Sequence, residues 1–272
     1  MPSIDLARLR KQSGRLADFF FVPPEFARQL HGLLDSYVNY TARKRPALAP
    51  GISLPSYRTP AVVIRHIEQD ISADASRSEN ADHALELADR LWDEAWLETR
   101  LLAAFLLGQI RPLEGRLVAR LTAWTSQVRD PQLRSKLLDA GLVRMRKETP
   151  AAFLQLIGEW LRPERTHFWP NAIQASISAI GDPDFINLPP LLSVIEPVVE
   201  AAPSQFQLDL EELILALYKA SPTETAYFVR YILAKSGDPM TAITFRRMAP
   251  SLPADLREEI KDLVQGKPLP AG

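Results

Sequence analysis

Arg134, Lys136, Arg144, Arg146 and Lys147 crowd one short stretch of the chain, Arg162 and Arg165 follow it, and Arg43, Lys44 and Arg45 form a separate run. Gathered guanidinium and ammonium groups can hold phosphates, since each contact releases condensed counter-ions. Trp124, Trp160 and Trp169 fall beside the longer cluster. An aromatic next to basic groups can stack on a nucleobase. The same residues also fit a plainer and commoner arrangement, in which the cations line solvated helix faces and the tryptophans pack a core.

Other chemistries find little support. His31, His66, His83 and His167 are dispersed, with no pair at the spacing that puts two ligands on one helix face, so no metal site is expected. The chain has no cysteine, which removes thiolate ligands, disulfides and a cysteine nucleophile together. "GLVRMRKE" lacks the second glycine and the Lys-Ser/Thr of a phosphate loop, and no cofactor is expected. Asp93, Glu94 and Glu98 gather where one helix gives way to the next, as the helix dipole alone would favour. A net charge of -1 supplies no overall basic field, so a nucleic-acid partner would need a local patch. No apolar run reaches the roughly 20 residues of a bilayer span, and Met1–Arg10 lacks the order of a signal peptide, which makes a cytoplasmic protein without membrane partners the expectation.

The elements that must carry these groups are helices. Proline is frequent at 23 and glycine sparse at 11, with no Asn-Gly or Asp-Gly hairpin signal. Thr59-Pro60, Asp130-Pro131, Thr149-Pro150, Asp182-Pro183, Ser221-Pro222 and Asp238-Pro239 each put a capping oxygen before a proline, the order of a helix start. Gly181 and Gly237 precede two of these pairs and would end the helices before them. Leu85, Ala88, Leu91 and Trp92 keep helical spacing, as do Phe153, Leu156, Ile157 and Trp160. "LADRLWDEAWLETRLLAAFLLGQIRP" therefore predicts a helical hairpin, its first helix ending near Trp92 and its second running from Trp96 to Gln109. "LLAAFLLG" is apolar all round and needs neighbours on several sides.

The markers Asp130, Asp182 and Asp238 recur at intervals approaching the ~40–47 residues of two-helix repeats. The expected fold is all-α, a HEAT-like helical-repeat solenoid of stacked antiparallel helix pairs, curved with a concave face. An N-terminal helical unit (1–45) would join a repeat array (46–265) in one elongated domain, ahead of a frayed tail (266–272). Ala42–Ser56 reads as a Pro-rich link and Ser72–Asp82 as a polar connector.

"YRTPAVVIRHI", then "LADRLWDEAWLETRLLAAFLLGQI", "AWTSQVRD" and "FLQLIGEWLRPERTHFWPNAIQASI" resemble, in order and spacing, the HEAT-like AlkD-type DNA alkylation repair glycosylases, over roughly Leu54 to Ala234. The resemblance implies a DNA-binding groove and a Trp-Trp-Asp-x-Val-Asp segment whose last aspartate faces the damaged nucleotide. Trp124 and Val128 match it, while Thr125 stands for the second tryptophan, Ser126 for the first acid and Arg129 for the last. Asp130 follows one residue late, a rotation of about 100° on a helix. In the next repeat Trp169 is kept, but Pro170 and Asn171 stand where an arginine is expected. Groups that would stabilise a cationic base and hold the backbone are thus replaced.

Two functions follow from the resemblance. One is a non-catalytic or atypical scaffold that grips nucleic acid or another partner through Trp124, Arg129, Arg134, Lys136, Arg162, Arg165, Trp169 and Asn171. The other is a glycosylase excising alkylated bases with Asp130 as its catalytic acid. A scaffold that binds only proteins fits the near-neutral charge.

Overall fold

The computed structural model describes residues 4–38, 54–94, 96–112, 115–128, 131–201 and 203–264. The tail at 266–272 and most of the Pro-rich link lie outside them. The chain divides into two compact units, Met1–Thr149 and Pro150–Gly272. Among the described residues the regular structure is all helical, with fifteen α-helices and no strand.

The first unit holds α1 (Leu6–Ala17), α2 (Pro23–Ser36), α3 (Ala61–Ser76), α4 (Ala81–Asp93), α5 (Leu97–Gln109), α6 (Gly115–Gln127), α7 (Pro131–Gly141) and α8 (Val143–Glu148). Alternate helices form layers: α1 packs on α3, α3 on α5 and α5 on α7, while α2 packs on α4. Helix α6 joins the second layer through Arg116–Asp82 and Arg120–Asp89 ion pairs and through Trp124, which stacks on Trp92 of α4. Stacked helix pairs are the result, as an all-α repeat fold requires. The all-round apolar character of α5 now has its cause, because α3, α4, α7 and α8 all lean on it. Leu102, Ala103, Ala104, Leu106 and Leu107 are buried there.

The second unit repeats the scheme with α9 (Pro150–Trp160), α10 (Trp169–Ile180), α11 (Leu188–Ala201), α12 (Gln207–Ala220), α13 (Pro222–Lys235), α14 (Pro239–Met248) and α15 (Ala254–Val264). Here α9, α11, α13 and α15 pack in succession, and α10, α12 and α14 form the other layer. Phe153, Ile157, Trp160, Ile195, Leu213, Val229 and Phe245 fill the core. The spacing of Phe153, Leu156, Ile157 and Trp160 does mark a buried helix face, and so does that of Leu85, Ala88, Leu91 and Trp92.

Several helix starts fall where the Ser/Thr/Asp-Pro pairs predict. Helices α7, α9, α13 and α14 begin at Pro131, Pro150, Pro222 and Pro239, and the Asp238 carboxylate accepts the Met240 N–H at 2.8 Å. Two expectations are corrected. Asp182-Pro183 opens a turn instead of a helix: the Asp182 carbonyl accepts the Phe185 N–H, its side chain accepts the Asp184 N–H, and α11 starts only at Leu188. Most of Ser72–Asp82 is also not a connector. Helix α3 continues to Ser76, because Ile71 and Ala75 extend the buried four-residue stripe of Val63 and Ile67, and α4 begins at Ala81.

Burial of Glu68 on α3 raises its carboxyl above the ordinary range, against the opposing pull of Arg65. A raised folded-state value means that this group's contribution is fully present below the unfolded value and is lost as pH rises through the folded one. Glu68→Gln is therefore expected to raise the melting temperature at neutral pH and to leave it unchanged in acid below the carboxylate range, measured by thermal denaturation at both.

Candidate nucleic-acid interface

Trp124 is only 6% exposed. Its ring lies 4.4 Å from that of Trp92 with 3° between the planes, and the Arg100 guanidinium sits 4.4 Å from the Trp92 ring centre. Burial holds Arg100 below the usual guanidinium range, with Asp93 opposing the shift. At the next position Thr125 is buried and folds back to donate to the Leu121 carbonyl at 2.8 Å, and Ser126 donates to the Ala123 carbonyl at 2.6 Å. Both hydroxyls are turned onto their own helix, and Ser126 puts no carboxylate where the resemblance expects the first acid. Arg129 and Asp130 lie outside the described residues, as do Arg43, Lys44 and Arg45.

The basic groups of the first unit divide by use. Arg134 is half-buried and donates to the Val128 carbonyl at 3.0 Å, where it complements the negative end of α6. Arg146 is almost wholly buried, paired with the Asp139 carboxylate at 2.9 Å and donating to its carbonyl at 3.1 Å. Arg144 bridges Glu148 and the Gln109 carbonyl at the end of α5. These arginines tie helices together. Lys136 is exposed and makes no ion pair among the described residues.

In the second unit a 3-10 segment, Pro163–Phe168, leads into α10. Arg162 is exposed, pairs with Glu159, and accepts the Trp169 indole N–H on its carbonyl at 3.1 Å. Trp169 is 8% exposed and lies 5.7 Å from the Phe206 ring, while Asn171 is 3% exposed in the first turn of α10. Arg165 is exposed and has no ion pair among the described residues.

The first unit also assembles a constellation with no local sequence signal. The Tyr57 ring stacks on Trp96 at 4.3 Å. His31 Nδ1 lies 2.8 Å from the Tyr57 hydroxyl, and its Nε2 lies 3.1 Å from the Glu94 carboxylate. Glu98, 4% exposed, accepts the Ser56 hydroxyl at 2.7 Å and the Tyr57 N–H at 3.1 Å. So Glu98 is a buried acceptor fastening the segment before α3, a more specific role than the dipole argument gave it. Arg58 takes the left-handed φ of 54°, uncommon for a residue with a side chain, and strained backbone of this kind concentrates at functional sites. Burial, then the charges of Asp35, Glu98 and Glu94, raise the Tyr57 hydroxyl above the usual phenol range. The turn at 54–60 thus presents a fixed aromatic pair and an arginine at the start of α3.

A family model described as DNA alkylation repair enzyme matches residues 55–246. The chain belongs to that family. The match begins at the fastened turn before α3 and ends within α14, so it takes in both Trp124 and Trp169. Membership connects the protein to DNA repair. No curated protein and no solved structure matches the chain. Among the described residues no helix is long and apolar enough to cross a membrane, and no three His, Asp or Glu side chains gather as metal ligands would.

Proposed function

We propose that this repair-family protein binds DNA through phosphate contacts and does not itself excise bases. The observation that carries this reading is the packing of Trp124 and Trp169, whose rings are covered by protein where an excising enzyme would offer them to the damaged nucleotide. Ser126, in the place of the first acid, supplies no charge to offset a cationic base, and electrostatic stabilisation of that kind is usually the largest contribution such a site makes. Lys136 and Arg165, exposed and without an ion pair among the described residues, are suited to backbone phosphates. Such contacts position the protein and carry no sequence information.

The test titrates labelled duplex DNA, undamaged and with an abasic-site analogue, at low and moderate salt, and assays base release from alkylated DNA in parallel. Binding that weakens steeply with salt, without release above background, is the expected result. Release that disappears in Asp130→Ala would establish the glycosylase reading instead. Failure to bind at low salt would leave a scaffold for protein partners.

A further inference from the structure

Where the family-matched segment ends, α14, the 3-10 turn Ala249–Ser251 and α15 line a cavity of about 230 Å³. Its wall joins three cations, Arg246, Arg257 and Lys261, to the apolar side chains of Ala249, Pro250, Ile260 and Val264. Among the described residues no acid lines it. Arg257 is half-buried, spends one Nη2 bond on the Leu252 carbonyl at 3.0 Å, and keeps a buried Nε with no partner. Arg246 makes no ion pair among the described residues. Two of the four acids on α15 are engaged away from the cavity, Glu259 with Arg230 and Asp255 with the Tyr218 hydroxyl, while Glu258 pairs with Lys261 at 2.7 Å. Positive charge therefore accumulates at this cavity from Arg246 and Arg257, with Lys261 shared with Glu258. A buried guanidinium nitrogen left unpaired is costly unless an acceptor arrives.

We propose that this cavity binds a phosphate ester, the anion meeting Arg246, Arg257 and Lys261 and the organic part lying on the wall formed by Pro250, Ile260 and Val264. The space exceeds what a bare phosphate needs, and the apolar wall offers such an ion nothing. Guanidinium groups suit phosphate oxygens because they form paired, charge-assisted hydrogen bonds. The ester has two sources, a small phosphorylated metabolite or the phosphorylated end of a nucleic-acid strand, and both share this chemistry.

Calorimetric titration of the full chain with inorganic phosphate and with deoxyribose 5-phosphate, plus anisotropy with a short single strand with and without a 5′-phosphate, tests the proposal. Binding of deoxyribose 5-phosphate in preference to inorganic phosphate is expected, and it should weaken about tenfold or more in Arg246→Glu, as the loss of one charge-assisted pair implies. Arg246 is exposed, so that variant should keep its fold, which a melting curve checks; Lys261→Glu gives a second reading from α15. A strand that gains affinity from its 5′-phosphate identifies a nucleic-acid end, whereas response to the small ester alone identifies a metabolite. Absence of binding by every phosphate compound, or binding unaffected by both variants, overturns the site. Duplex binding through Lys136 and Arg165 does not depend on this cavity, so this result and that of the DNA titration are separable.

Discussion

Gly108→Ala is expected to destabilise the first unit by about 3 kcal/mol or more, at the upper end of overpacking changes. A methyl group at this position would sit 2.0 Å from the Ala140 carbonyl oxygen and 3.1 Å from Val143 Cγ1. The first of these neighbours is backbone, which cannot rotate away, so α5 and α7 would have to separate. These two helices meet where α5 is covered on several sides, and separating them opens space in the layer that α5 anchors. Gly14 on α1 provides the contrast, since nothing lies within 4 Å of the added Cβ. There the substitution should stabilise by about 0.5–1 kcal/mol through helix propensity alone. Chemical denaturation of both variants checks the pair, and a Gly108→Ala protein as stable as the parent would contradict the close approach of α5 and α7.

The hairpin of α4 and α5 was legible in the sequence because its signals are local. Trp92 closes an apolar stripe, a short acidic break follows, and "LLAAFLLG" demands cover whatever the surroundings. Pro150, Pro222 and Pro239 were legible as helix starts for the same reason. Asp182-Pro183 failed because an aspartate before proline serves a turn as readily as a cap, and only the position of Phe185 and the late start at Leu188 distinguish the two. In Ser72–Asp82 the polar residues concealed a stripe reduced to one residue in four, Ile71 and Ala75, which tertiary packing sustains as helix.

The candidate site was less legible than the fold, for a physical reason. His31, Tyr57, Glu94, Trp96 and Glu98 come from distant segments, and their stacking and hydrogen bonds exist only once α2, α3, α4 and α5 have packed. No spacing rule registers such a group. The basic cluster has the opposite character. Arg134, Arg144 and Arg146 are close in sequence and invite a phosphate reading, yet each has a terminal guanidinium nitrogen donating to a carbonyl or acid of the packed helices. Charge counts along a chain do not reveal whether a cation serves the protein or a ligand.

Trp124→Ala decides which of those roles the aromatic residue plays. Its ring is stacked on Trp92, which also carries the Arg100 guanidinium, so truncation removes a large buried surface and leaves a cavity close to a half-buried cation. Losses of about 3–5 kcal/mol accompany such Trp→Ala changes. The expected outcome is a large fall in stability, with DNA affinity unchanged in whatever fraction remains folded at low temperature. A stacking residue at a damaged base would behave in reverse, giving up about 1–3 kcal/mol of binding with little effect on folding. Trp124→Phe sharpens the comparison, because it preserves most of the packing on Trp92 and should restore most of the stability. Denaturation and duplex anisotropy on both variants separate the two roles. Loss of lesion preference in a fully stable Trp124→Phe protein would place this ring at the nucleotide and remove the main support for a protein that binds without excising.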